Sequence, residues 1–183
     1  MGMRPLTPAV LADQAALLRL VTTYSRAIDR RDFDLLESLY HPDATDSHGR
    51  MFDGGVAGYL DFVRLALSRY DMTVHYVVNA LFEVDGDRAE GEIHKINYHR
   101  TAGPQAMETT TGSRSLDQDT RRNGAWRFQS RSVVIDWVDT RPANPAAWKD
   151  VAAQSPRGQT GPQDASYALL PLLCRLGPQH DKG

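Results

Sequence analysis

One imidazole in this chain stands where acid–base chemistry is possible. His75 lies in the stretch DMTVHYVVN, residues 71–79. The stretch alternates as a strand does, with Val74, Tyr76 and Val78 on one side and His75, Val77 and Asn79 on the other. A histidine placed this way is either a satisfied core group or a general base. An unperturbed pKa near about 6.5 lets it take and return a proton at neutral pH. Asp29 is the acid that can orient it, because a carboxylate accepting from one ring nitrogen fixes the tautomer and stabilises the imidazolium. The other reading of Asp29 is an exposed loop acid beside Arg30 and Arg31.

Further candidates carry two readings each. Tyr24 supplies either a hydroxyl for a substrate oxygen or a helix-core ring. Its face differs from that of Asp29 by about 140° on an ideal helix, so both border one pocket only if the helix end loosens. His94 shares a face with Ile96 and Tyr98, as a second proton donor or a structural histidine, while His99 points the other way. Arg131 alternates with Val133 and Ile135, and a guanidinium in that setting needs a partner. It forms either a salt bridge to a helix acid such as Glu37 or a clamp for a carboxylate, phosphate or leaving oxygen. Arg114 has the same ambiguity. His41 and His48 fall in turns and read as solvated. No pair of histidines has HxH or HxxxH spacing, so no metal site is expected.

The elements that must position these groups follow a change of period. Thr7-Pro8 is a helix start, and Leu11, Ala15, Leu18, Val21 and Ile28 recur at helical spacing to Asp29. Asp32 can cap a second helix, FDLLESLY, which His41-Pro42 ends. Gly54-Gly55 opens a third, with Tyr59, Phe62 and Val63 on its apolar face. Alternation then predicts strands over 73–83, 88–100, 108–120 and 125–138, with Asn123-Gly124 as a hairpin turn. Helices first and antiparallel strands afterwards is an α+β pattern. A sheet curling around three helices leaves a concave pocket, whose expected walls are Tyr24, Ile28, Tyr40, Phe62, Val77, Asn79 and Trp137. We divide the chain into a domain over residues 1–140 and an irregular extension over 141–183, in which the apolar SYALLPLLCRL packs on its own domain or a neighbouring subunit.

Composition narrows the function. The 183 residues are 24% charged and 41% hydrophobic, enough for one domain with a real core. A net charge of -2 provides no global field for nucleic acid or a membrane surface. No apolar run spans a bilayer and no signal peptide is read, and the lone Cys174 suits a reducing compartment, so a cytoplasmic location is expected.

Several motifs together resemble the SnoaL-like branch of the nuclear transport factor 2-like superfamily: YSRAID, DFDLLESLYHPDAT, TVHYVVN and RRNGAWRFQSRSVVIDW. The pairing of Asp29 with His75 is similar to the dyad of scytalone dehydratase, hexachlorocyclohexane dehydrochlorinase and bile acid dehydratase. The resemblance implies a cone-shaped α+β barrel in which a curved mixed or antiparallel sheet wraps three N-terminal helices. It implies a cofactor-free lyase acting on an apolar oxygenated small molecule such as a steroid or polyketide. It also implies a homo-oligomer, a trimer ahead of a dimer. Carried over by residue, His75 is the base and Asp29 its orienting acid. Tyr24 matches a pocket tyrosine, Arg131 an arginine and His94 a second histidine. An isomerase or polyketide cyclase using the same base, or a non-catalytic binding member, remains open.

Overall fold

A computed structural model of the chain describes residues 5–144, 146, 149 and 152–175. Helix α1 (Pro8–Arg30) opens where cap and proline predict, the Val10 N–H donating to the Thr7 hydroxyl. It stops at Arg31, whose backbone turns left-handed with φ 58°. Asp32 then caps α2 (Phe33–Ser38) by accepting from the Leu35 N–H. Strands β1 (Tyr40–Ser47) and β2 (Asp53–Gly55) lead into α3 (Val56–Leu67). Four long strands follow: β3 (Tyr70–Asp85), β4 (Arg88–Thr101), β5 (Met107–Arg122) and β6 (Ala125–Pro142). A short α4 (Ala165–Leu169) lies in the C-terminal segment.

The six strands form one curved, unclosed sheet in the order β2-β1-β6-β5-β4-β3, so the α+β cone is not a closed barrel. β1 runs parallel to β6 and the other pairs are antiparallel. α1 packs across β3 and reaches β6, while α3 packs on β1 and β2. The core between helices and sheet holds Leu17, Val21, Tyr24, Ile28, Tyr40, Tyr59, Ile93 and Phe128.

Strand phase decides which side chains reach that core. On β4 the buried face carries Ala89, Gly91, Ile93, Lys95 and Asn97, and the other face carries Arg88, Glu90, Glu92, His94 and Ile96. On β3 a register shift between Val77 and Asn79 re-phases the strand, so burial passes from Thr73 to Phe82 and Val84. Asn79 is therefore exposed and does not share His75's face, contrary to strict alternation. On β6 a register shift against β5 brings Trp137 opposite Gly112, and its indole lies where a Gly112 Cβ would stand. That is the outer face, with Ile96 opposite Gly112 on its other side, so Trp137 is no pocket wall. His41 is not solvated either: it belongs to β1, is 4% exposed, and sets Nε2 3.0 Å from the Thr120 carbonyl. His48 stacks on Tyr59 and lies 2.8 Å from Asp46.

Strand β5 carries a buried acid without a donor among the described residues. Neither carboxylate oxygen of Asp119 has a hydrogen-bond partner among the described residues. Burial, with Asp117 next, pushes its pKa from 3.8 to about 8. A raised folded pKa contributes stability that is full below pH 3.8 and is lost as pH rises toward about 8. Asp119→Asn is therefore expected to gain on the wild type as pH rises through that window, by about 1–3 kcal/mol, the usual cost of an unsatisfied buried group. Denaturant titrations at several pH values check this; a pH-independent difference contradicts it.

Candidate active site

Asp29 sits in the last turn of α1, where the helix dipole disfavours a carboxylate. Two hydrogen bonds and a nearby charge offset this. The His75 backbone N–H donates to Oδ2 at 2.9 Å, and its ring Nδ1 donates to Oδ1 at 2.7 Å. Because β3 is an edge strand, half of its N–H groups lack a strand partner, and Asp29 takes one of them. The guanidinium of Arg31 interacts electrostatically with Asp29 and bonds the Ile28 carbonyl and the Thr73 hydroxyl, both at 2.7 Å. A carboxylate only accepts, so Nδ1 carries the hydrogen and the lone pair of the neutral ring lies on Nε2. The His75 side chain is 13% exposed.

His99 is the neighbour that sequence reasoning passed over. Its ring meets that of His75 edge-on, with centroids 5.2 Å apart. Burial, with His75 next, pushes its pKa down from 6.5 to about 4, so it stays neutral at neutral pH. The signal was present in the run Ala89, Gly91, Ile93, whose phase leads through Lys95 and Asn97 to His99. Asn97 pairs with His75 across the strands and donates to the Ser113 hydroxyl at 2.8 Å and the Thr111 hydroxyl at 3.3 Å. Its carbonyl oxygen has no partner among the described residues.

The other predicted residues divide. His94 is on the outer face, 3.0 Å from Glu92 and 43% exposed, away from His75. Arg114 pairs with Asp136 and Glu92 there. Arg131 is wholly buried and grips Asp117, not Glu37, through two bonds of 2.7 and 2.6 Å. Tyr24 points toward β1, β6 and α3, its hydroxyl bonded to that of Tyr59 and its ring packed on Tyr40 and Phe128. Burial pushes its pKa up to about 12. The helix stays regular to Arg30, so Tyr24 and Asp29 face different ways. Ile28 and Tyr40 are core residues, Tyr40 bonding Asp46 at 2.7 Å. Phe62 packs with Phe52, Tyr59 and His48. Val77 and Asn79 meet in a cleft of about 560 Å³ between α1 and β3, lined also by Leu18 and Phe82 but not by His75. Among the described residues no cluster of three His, Cys, Asp or Glu is placed to hold a metal.

The SnoaL-like domain family matches residues 9–132. The chain belongs to that family. An uncharacterized protein of Mycobacterium tuberculosis is 28% identical over 130 residues, covering 69% of this chain and 87% of that protein. Among solved structures, the SnoaL-like fold is similar to that of a protein from Novosphingobium aromaticivorans provisionally described as a scytalone dehydratase. The TM-score is 0.68 at 21% identity, over 76% of this chain and 97% of that one. It is also similar to a hexachlorocyclohexane dehydrochlorinase, with TM-score 0.67 at 22% identity over 74% and 95% of the two chains. Among the described residues no helix is long and apolar enough to cross a membrane.

A lowered histidine pKa has a defined consequence for stability. His99 contributes stability that is full above pH 6.5 and is lost as pH falls toward about 4, because the unfolded imidazole takes a proton that the folded one refuses. The wild type is expected to lose melting temperature more steeply than His99→Gln across that interval. Parallel slopes in thermal scans contradict the assignment.

Proposed function

We propose that this SnoaL-like protein is a cofactor-independent lyase of the dehydratase type. His75 Nε2 removes a proton next to an activating group, and Asp29 holds the ring and stabilises the imidazolium. The single observation that carries the reading is the two-point attachment of His75 to Asp29, which leaves one ring nitrogen with its lone pair. His99, neutral beside it, can hydrogen-bond the departing oxygen without adding a second positive charge. The similarity in fold to a dehydratase-like protein and a dehydrochlorinase supports the same class of chemistry. Arg131 and Tyr24 shape the interior: with Arg131 committed to Asp117, its role is to pack and polarise Tyr24 from 4.2 Å above the ring. The substrate class is an apolar oxygenated small molecule, in keeping with the aromatic and aliphatic interior.

Two further points belong to this reading. Tyr76, Val78, Ile96 and Trp137 leave apolar surface exposed on the outer face of the sheet, which supports a homo-oligomer, with a trimer favoured. The exposed free thiol of Cys174 fits a reducing, cytoplasmic setting.

Incubation with a panel of hydroxylated steroids and polyketides, followed by mass analysis of products, tests the proposal. Loss of water is expected, with turnover falling by about 10²–10⁴-fold in His75→Ala and Asp29→Asn. His94→Ala and Trp137→Ala, on the outer face, are expected to keep it. A product of unchanged mass replaces the lyase with an isomerase or cyclase using the same base, and full activity in folded His75→Ala removes the base itself.

A further inference from the structure

The chain carries 18 arginines and only three lysines: Lys95, Lys149 and Lys182. Lys149 and Lys182 lie in the C-terminal extension, so Lys95 is the one lysine of the cone, and it is 6% exposed. No described hydrogen bond or ion pair satisfies its amine. Its one described contact is the face of Tyr24, 4.9 Å from Nζ. Arg131 packs on the same ring at 4.2 Å, so two cations would share one aromatic ring. An arginine that must stay charged is given Asp117, whereas this lysine is given no acid of its own. That arrangement favours the neutral amine, a state open to lysine but not to arginine. The groups acting on it bear this out. Its pKa falls from 10.5 to about 7, with burial the largest cause and Arg131 next, while Asp117 and Asp46 oppose the shift.

The position matters as much as the protonation. Lys95 pairs with Val77 on β3 and Ser113 on β5, while His75 pairs with Asn97. Lys95 and His75 are therefore diagonal neighbours on adjacent strands, about 7–8 Å apart in an antiparallel sheet. Asn97, directly opposite His75, has a side-chain carbonyl oxygen with no partner among the described residues and is itself only 8% exposed.

We propose that Lys95 is a carbonyl-capturing amine, which forms an imine with an aldehyde or ketone of the substrate and holds the neighbouring carbon against His75. The identity of the base rests on the function proposed above; the amine does not. In the capture step the Nζ lone pair attacks the carbonyl carbon and a C–N bond forms. The carbonyl oxygen leaves as water with the two amine hydrogens, and a solvent proton converts the imine to the iminium. His75 Nε2 then takes the proton from the adjacent carbon, and the C–H pair forms an enamine. The enamine expels a β-hydroxyl, which leaves as water with the proton that His75 returns. Water hydrolyses the remaining iminium and restores the amine, so the net change is loss of one water with no oxidant or reductant. The substrate class is thereby narrowed to β-hydroxy aldehydes and ketones on an apolar skeleton.

Reductive trapping on the full-length native protein tests this. Benzaldehyde is the probe, sodium cyanoborohydride at neutral pH the reductant, and peptide mass mapping the readout. A benzyl group is expected on Lys95 at a rate at least about tenfold above Lys149 and Lys182. Labelling of Lys149 and Lys182 with Lys95 untouched in native protein, while urea-unfolded protein labels all three, overturns the proposal. The same labelling in His75→Ala keeps the two readings apart, because imine formation does not need the base. Lys95 labelled there without any dehydration retires the lyase and leaves the amine. Dehydration by the wild type with no label on Lys95 retires the amine and leaves the lyase.

Discussion

A single carboxylate holds one residue at two points, and the candidate chemistry depends on it. Asp29 accepts from both the backbone and the ring of His75, so the imidazole cannot rotate without breaking a bond to the α1 terminus. The clasp is possible because β3 lies at the edge of the sheet and has N–H groups to spare. It also needs α1 to end where it does. The left-handed turn at Arg31 folds that side chain back over Ile28 and Thr73, bringing a cation to an acid that the helix dipole opposes. Helix stop, strand edge and dyad are three consequences of one local geometry.

Beyond the dyad, the interior is too polar for a passive core. Arg131 and Asp117 form a fully buried pair, with the guanidinium between the rings of Tyr24 and Phe128. Removing one partner of such a pair typically costs about 3–5 kcal/mol, whereas a well-packed apolar replacement of both is often neutral. Stability alone therefore does not call for it. What it does is hold the guanidinium against the ring of Tyr24. Asp119 and the Asn97 carbonyl add buried groups with unmet hydrogen-bonding capacity.

Much of this was legible in the residues themselves. The period change from helix to strand placed every long element, and the caps at Thr7 and Asp32 act as their types suggest. The pairing of Asp29 with His75 was readable too, from residue types and family resemblance. The misplaced residues fail for two physical reasons: alternation gives two faces and does not say which is inward, and a register shift exchanges those faces part-way along a strand. On β4 His94 falls on the outer face beside Glu92, and His99 falls beside the ring of His75. Asn79 and Trp137 were misplaced by register shifts, each of which re-phases a strand at one residue. A bulge leaves no strong mark in composition, so a strict period of two carries through it unnoticed.

The amino-acid sequence by itself determined the elements, their order and the kind of sheet they build, because helix caps, turn residues and hydrophobic period act over a few neighbours. It also determined that the chain carries only three lysine amines. Only the tertiary structure decided which carboxylate each cation meets. Arg131 found Asp117 across the adjacent strand, Arg114 found Asp136, and Lys95 was left with an aromatic face. Ion pairing is set by distances of a few ångströms between residues far apart along the chain, and no local pattern encodes those distances.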